Sequence, residues 1–355
     1  MENTKKRAAD QWLKMNSKQG VYAGKPAEIN RRTALKYLAV IPVLAYGCSS
    51  AHKNTDVTNE SSGEQSPDNA PVVYMTKEIS PAAIIAMYEK LGRKATGKVA
   101  VKLSMGEPGG HNYLKPELVR DLVQLVNGTI VDCNTAYGGN RATTELHLKA
   151  AVDHGFTAIA PIDIMDSEGE TELPVTGGKH LTKDIVGSHF TVYDFVVNLS
   201  HFKGHAMGGF GGALKNMSIG IASSKGKTLI HSAGASTTDW GNPAQNDFLE
   251  SMAEAAQAIA AHCGDKIIYI SVMNNLSVDC DCDANPEDPK MADIGILASL
   301  DPVALDKACV DQVYASTDPG KVHLIERMES RNGIRIVEHA EALGMGNSRY
   351  QLVMV

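Results

Sequence analysis

Phe195-Val196-Val197-Asn198-Leu199, followed directly by Ser200-His201-Phe202-Lys203-Gly204-His205-Ala206-Met207-Gly208-Gly209-Phe210-Gly211-Gly212-Ala213-Leu214-Lys215-Asn216, decides how this chain is read. The first five residues have the length and apolar character of a buried strand. The next seventeen put two imidazoles and two ammonium groups just beyond that strand's C-terminal end, interleaved with five glycines. Glycine lets backbone approach a ligand closely or adopt positive φ. In open α/β sheets, ligands bind outside the carboxyl ends of strands. The segment therefore reads as a glycine-rich ligand loop. The plain alternative is a flexible loop carrying surface histidines.

Working outward, the periodicity alternates between strand and helix from residue 73 onward. Lys98–Leu103, Thr129–Cys133, Phe156–Pro161, Tyr193–Leu199, Lys266–Val272 and Asp293–Ala298 read as strands. Between and after them, Lys115–Val126, Asn140–Gly155, Asn242–His262, a helix opened by Asp301-Pro302 and running through Tyr314, and Ile334–Leu343 read as helices. Gly169–Lys183 reads as a hairpin excursion turning at Gly177-Gly178. Such alternation predicts an α/β fold with a mainly parallel sheet and flanking helices. The roughly 280 residues of the body leave room for two lobes with a site between them.

Of 355 residues, 43% are hydrophobic and 21% charged, which gives the chain a substantial core. No apolar run reaches the roughly 18–20 residues of a membrane-spanning helix. The formal net charge is −7, yet residues 1–50 carry nine Lys/Arg against three Asp/Glu. The remaining body is therefore acidic, which argues against nucleic acid as a partner.

The basic front end reads as a targeting segment. Asn30-Arg31-Arg32-Thr33-Ala34-Leu35-Lys36 is a twin-arginine pattern, and an apolar stretch from Tyr37 to Gly47 follows it. Cys48 follows Leu44-Ala45-Tyr46-Gly47, similar to a lipoprotein cleavage box with its Leu one place further from the Cys than usual. Residues 1–48 are thus expected to be a signal segment, 49–72 a polar disordered tether and 73–355 the folded body. The expected location is a bacterial cell envelope, with membrane contact only through an N-terminal lipid anchor. The alternative is an amphipathic, uncleaved N-terminal helix.

Three further stretches carry chemistry. Asp279-Cys280-Asp281-Cys282-Asp283 places two thiols at alternate positions, pointing the same way in an extended context. Thiolates favour zinc or an iron–sulfur cluster, and flanking Asp residues raise thiol pKa values unless a cation is near. Two cysteines make an incomplete set, which His205, His231 or Cys263 would complete only through tertiary folding. A disulfide or inert thiols are the alternatives. Asp132-Cys133-Asn134-Thr135-Ala136-Tyr137-Gly138-Gly139-Asn140-Arg141 is another loop at a strand end, with Arg141 suited to carboxylate or phosphate. Capping by Asn140 with an exposed Arg141 is its plain alternative. His111, in Gly109-Gly110-His111-Asn112, lies on a fourth loop at the same presumed edge. His201 and His205 are candidate acid/base groups or metal ligands, and Lys203 and Lys215 candidate anion-binding or catalytic cations. His111, Tyr137, Arg141, Asn216 and His231 are the candidate substrate-binding residues, and Cys280 and Cys282 the candidate metal ligands.

The body resembles the DUF362 family, whose members are described as uncharacterised Fe–S centre proteins. The resemblance rests on Tyr113–Val119, Thr135–Arg141, His154-Gly155-Phe156, Leu199–Asn216, Gly220–Ser232 and Asp279–Asp306. Many members carry a ferredoxin-like insertion with C-x2-C spacings after the stretch matching Gly220–Ser232. Here Ala233–Leu249 occupies that place without a cysteine. The resemblance therefore implies at most the Cys280/Cys282 part of that thiol pattern. Gly209–Ser223 is also locally similar to the Gly-Gly-x-Lys segment of nickel-pincer lactate racemases. That similarity implies Lys215 as a cofactor-holding residue, with His201, His205 or His231 as metal ligands or proton carriers.

The resulting expectation is a metal-dependent enzyme acting on a small anionic substrate, with Fe, Ni or Zn, as an ion or an Fe–S cluster, for its cofactor. A non-catalytic, surface-anchored metal- or anion-binding protein is the alternative. An electron-transfer role is disfavoured because four-cysteine cluster motifs are missing.

Overall fold

The structure, a computed structural model, describes residues 70–355. The twin-arginine pattern, Cys48 and nearly all of the expected tether lie outside the described residues.

The chain runs through β1 (Val72–Thr76), α1 (Pro81–Lys90), β2 (Val99–Lys102), α2 (Pro116–Leu125), β3 (Thr129–Asp132), α3 (Thr144–Asp153) and β4 (Ile162–Ile164). The hairpin β5 (Glu170–Pro174) and β6 (Lys183–Gly187) follows, then β7 (Phe195–His201), β8 (Lys203–His205) and β9 (Gly209–Gly211). Next come α4 (Ala213–Ile221), α5 (Ser224–His231), α6 (Gln245–Cys263), β10 (Ile267–Met273) and β11 (Gly295–Ser299). The chain closes with α7 (Pro302–Ala315), α8 (Lys321–Ser330), α9 (Arg335–Ala342) and β12 (Gln351–Met354).

Eight strands form one sheet in the order β12-β1-β11-β10-β7-β2-β3-β4. Only β11 pairs antiparallel with its neighbours, so the sheet is mainly parallel as the alternation predicts. These eight strands make one continuous sheet, and two small hairpins, β5–β6 and β8–β9, stand outside it.

Both faces are covered, which is why β7 and β10 are buried at every position and are mostly apolar, broken by Asn198, Ser200 and His201 in β7 and by Ser271 in β10. The pleat sorts their side chains. Ala100, Val131, Val196 and Tyr269 face a core built with Leu214, Met252, Val303 and Ile336. Val101, Val197, Ile268 and Ile270 face the opposite core with Ile84, Val119 and Leu122.

Local signals start the helices where expected. Pro116 occupies the first turn of α2. The Asp301 side chain accepts hydrogen bonds from the N–H groups of Val303 and Ala304 at the start of α7.

Two sequence readings need correction. Phe156–Pro161 contains a single 3-10 turn, Phe156–Ala158, entered through the left-handed Gly155, and the strand begins only at Ile162. Phe156 is fully buried, so its apolar environment came from core packing rather than from a strand. The glycine-rich segment is not a loose loop. Lys203–His205 and Gly209–Gly211 pair as an antiparallel hairpin. Gly204 makes this possible, because a Cβ there would meet the Val278 carbonyl oxygen at 2.2 Å.

After β2 the chain builds β3 and β4 to one side of it, and after the β5–β6 excursion β7 returns to its other side. The ends of β2, β3 and β7, at Lys102, Asp132 and His201, therefore flank a topological switch point, the place where such sheets open a ligand crevice.

Asp184 on β6 lies in the core behind this crevice, and neither of its carboxyl oxygens has a hydrogen-bond partner. Burial pushes its pKa up to about 7, opposed in part by the nearby Ile185 N–H and by Lys227. A pKa raised above its unfolded value favours folding below about pH 4 and loses that contribution as pH rises toward 7. Asp184→Asn is expected to remove this component, so that urea unfolding shows the variant gaining on the parent steadily from pH 4 to pH 7.

Candidate functional site

Strand ends, the β8–β9 hairpin, α4, α5 and the Asp279–Asp283 turn line an open cleft. Lys102 closes β2 and reaches its floor. Its Nζ lies 3.3 Å from Asp132 Oδ1 and donates to Asn216 Oδ1 at 3.1 Å and to the Leu103 carbonyl at 3.2 Å. Burial lowers the Lys102 pKa, while Asp132 works against that shift. Asp132 is held far below the usual carboxylate range, because Lys102, His147 and Arg141 outweigh its burial. Asn216 also donates to the Lys102 carbonyl and to Asn198 Oδ1, so α4 is tied to the ends of β2 and β7.

Arg141 is buried rather than exposed, and Thr143, not Asn140, caps α3. The Arg141 Nε donates to Glu107 Oε2 at 2.9 Å, its Nη2 to Tyr137 Oη at 3.1 Å, and its Nη1 lies 3.5 Å from Asp132 Oδ2. It faces the cleft, but the protein's own carboxylates and phenol hold its guanidinium.

The second cluster centres on Asp281. Its Oδ1 lies 2.8 Å from His201 Nδ1 and its Oδ2 accepts from Lys203 Nζ at 2.7 Å, all three side chains being buried. Burial alone would raise the Asp281 pKa, but His201 and Lys203 hold it down to about 2. His201 Nε2 donates to the Asn274 carbonyl at 2.6 Å, so both ring nitrogens are occupied behind the cleft wall.

Cys280, Asp281, Cys282 and Asp283 form a tight turn, closed by the Asp283 N–H on the Cys280 carbonyl. The turn, rather than a strand, sends both thiols toward the cleft and Asp281 away from it. One ligand atom from each of His205, Cys280 and Cys282 falls within 4.8 Å of the others. Lys215 Nζ stands 3.8 Å from Cys280 Sγ, and His205 Nε2 stands 4.0 Å from Cys282 Sγ.

The expected upward push of the flanking Asp residues is reversed at Cys280. Asp279 is neutralised by Arg327, and Asp281 by His201 and Lys203. The Cys282 thiol donates to Cys280 and Lys215 stands beside it, drawing Cys280 well below the ordinary thiol range despite burial. Cys282, which keeps the shared proton and is partly buried, is pushed well up.

The two cleft imidazoles are held in opposite tautomers. His205 Nδ1 accepts from the N–H groups of Met207 (3.2 Å) and Gly208 (2.8 Å), so its proton sits on Nε2. His231 Nδ1 donates to the Lys227 carbonyl at 2.6 Å, which leaves its Nε2 unprotonated. Its ring is clamped between Trp240, at 4.2 Å, and Phe248, at 4.9 Å. Burial lowers the His205 pKa to about 4 and that of His231 to about 3, so both rings are neutral near pH 7.

Of the residues singled out by sequence, Lys203, His205, Lys215, Asn216, His231, Tyr137, Arg141, Cys280 and Cys282 all line this cleft. His201 stands behind its wall. His111 is half exposed and pairs with Asp288 at the surface. Sequence reasoning missed Lys102, Asp132, Lys227 and Trp240. A lysine ending an apolar strand was the available signal for Lys102. Trp240 lies in Ala233–Leu249, a stretch without cysteine that supplies the cleft's aromatic wall.

A four-thiolate iron–sulfur cluster does not fit here, because only Cys280 and Cys282 converge among the described residues. Cys133 also lines the cleft, but its thiol is bonded to the Ile221 carbonyl. A single ion fits better: two thiols and an imidazole converge, although His205 joins them only by giving up the proton on Nε2 or the backbone bonds on Nδ1.

An open, mainly parallel α/β sheet with a cationic, thiol-bearing cleft at its switch point defines the class of protein. The chain belongs to the DUF362 family, described as "Domain of unknown function (DUF362)", whose sequence model matches residues 99–311. No curated protein matches it. Among solved structures it is similar to the lactate racemase apoprotein from Thermoanaerobacterium thermosaccharolyticum, at 14% identity over 59% of this chain and 52% of that one, with a TM-score of 0.34. It is also similar to a structural-genomics protein from Thermotoga maritima, at 12% identity over 74% of this chain and 58% of that one, with a TM-score of 0.38. The chain spans little more than half the length of either, and neither likeness carries weight in reading the site.

Asp281→Asn is expected to cost about 3 kcal/mol of stability at pH 7, since removing one partner strands buried charge on the others. The parent's carboxylate has a depressed pKa, so its contribution is present above about pH 4 and is lost as pH falls toward 2. The gap between parent and variant in urea unfolding should therefore narrow in acid.

Proposed function

We propose that this protein is a metal-dependent enzyme acting on a small anionic substrate, with Cys280, Cys282 and His205 as the protein ligands of the metal. The observation that carries the reading is the convergence of those three ligand atoms within 4.8 Å on the wall of a cleft also lined by Lys102, Arg141, Lys203, Lys215 and Lys227. Thiolate with imidazole favours zinc, nickel or iron. Three protein ligands leave a coordination position for substrate, as catalytic metal sites do.

The cations divide by partner. Lys102, Arg141 and Lys203 are paired with buried carboxylates and shape the site. Lys215 contacts Cys280, and Lys227 donates to the carbonyls of Ala222 and Cys133. Neither has a carboxylate at ion-pairing distance among the described residues, and these two are our assignment for the substrate's charge. His231 Nε2 accepts a hydrogen bond from the bound molecule.

Protein purified from its native compartment is expected to carry Fe, Ni or Zn near one equivalent, and Cys280→Ala/Cys282→Ala to lose it. Protein without any of the three metals would sink the reading, and retention of metal by the double variant would move the site to the histidines. Trp240 supplies a second readout. A small anion entering the cleft is expected to change its fluorescence, and Trp240→Phe to abolish that change.

The alternative is a binding protein, supported by how much of the cleft's charge is locked in internal pairs. His205→Ala separates the two: an enzyme loses turnover while largely keeping anion affinity, whereas a binder shows no turnover in the parent. We also propose export and lipid anchoring through Arg31-Arg32 and Cys48. The mass of the mature chain tests this, and a chain beginning at Met1 contradicts it.

A further inference from the structure

We propose that Cys280 and Cys282 form a reversible dithiol–disulfide couple that exchanges with low-molecular-weight disulfides and, when closed, withdraws both sulfurs from the metal site. Both are free thiols. They occupy the first and third positions of the turn closed by Asp283 N–H on the Cys280 carbonyl at 2.9 Å. A tight turn brings such positions within the roughly 4.4–6.8 Å between Cα atoms that a disulfide requires. The sulfurs already lie within 4.8 Å of each other, so closure requires side-chain rotation rather than refolding.

The residue between them is anchored. Asp281 is held by His201 and Lys203, and its carbonyl accepts the Glu107 N–H at 2.7 Å, which keeps the turn in register whether the sulfurs are joined or apart. The other described cysteines are placed apart. Cys133 is bonded to Ile221, Cys309 is fully buried in α7, and Cys263 ends α6; none belongs to the cleft's sulfur cluster.

The exchange balances as two displacements. One cysteine, as thiolate, attacks a sulfur of the small disulfide RSSR. A protein–SR bond forms, the RS–SR bond breaks, and the departing RS⁻ takes a proton from solvent. The second cysteine then loses its proton and attacks the protein-bound sulfur of the mixed disulfide, releasing the second RSH. Two protein thiols are oxidised by two electrons, and RSSR is reduced to two RSH. The competition with metal rests on the metal reading above; the couple itself does not.

The test uses the full chain, reduced and freed of metal, treated with oxidised glutathione and followed by thiol titration, intact mass and peptide mapping. The expected result is loss of two thiols without a retained adduct, a linked Cys280–Cys282 peptide, and full recovery with dithiothreitol. Cys282→Ser should instead stop at a glutathione adduct on Cys280. Persistence of both thiols, a stable glutathione adduct on the parent, or pairing of either cysteine elsewhere would overturn the proposal. Prior loading with Zn²⁺ should slow closure. Closure at an unchanged rate with Zn²⁺ leaves the couple standing and removes the metal from these sulfurs. Stoichiometric Zn²⁺ binding with thiols that never close overturns the couple alone.

Discussion

The site hangs on one buried carboxylate. Asp281 sits between His201, at the end of β7, and Lys203, at the start of the β8–β9 hairpin, and its two oxygens are divided between them. That arrangement fixes the Asp279–Asp283 turn across the mouth of the sheet. It also fixes which way the neighbouring residues point: with Asp281 turned inward to its cations, Cys280 and Cys282 turn outward to the cleft. Burying a carboxylate is costly unless its partners sit close, and here the contacts to His201 and Lys203 are both under 3 Å.

The same division of labour runs through the rest of the cleft. Asp132 gathers Lys102, Arg141 and His147, and Glu107 holds Arg141 with Tyr137. These networks use up the cations nearest the strand ends, leaving Lys215 beside Cys280 and Lys227 on backbone carbonyls. An acidic protein thus presents a locally cationic cleft, because Asp132 and Asp279, which line it, are each paired with a cation, while Lys215 and Lys227 have no carboxylate at ion-pairing distance among the described residues. Backbone contacts set the remaining chemistry, by placing the proton of His205 on Nε2 and that of His231 on Nδ1.

Much of this order is legible in the residues. The mostly apolar runs of β7 and β10 announce strands buried on both faces, and Pro116 and Asp301-Pro302 mark helix starts. Phe156–Pro161 resembles a strand in local pattern, because a buried aromatic beside a glycine carries the same apolar signal whether core packing or a strand produces it. The glycine-rich segment has the local pattern of a loop, because its hairpin depends on Val278, more than seventy positions away, passing where Gly204 has no side chain. His201 looked like the partner of His205, since two histidines four apart suit one ligand, but the chain passes from β7 into β8 between them and sends the rings to different places.

The sequence by itself determined the architecture and the neighbourhood of the site: alternating periodicities demand covered parallel strands, and the polar groups cluster where such strands end. Tertiary structure alone decided which of those groups face one another. Charge pairing, tautomers and thiol convergence depend on contacts such as Asp281 with His201 and Asp132 with Lys102, whose partners lie tens of residues apart. Local pattern carries no information about which buried charge a distant residue will neutralise, and at this site that choice separates the groups that shape the cleft from those left to act in it.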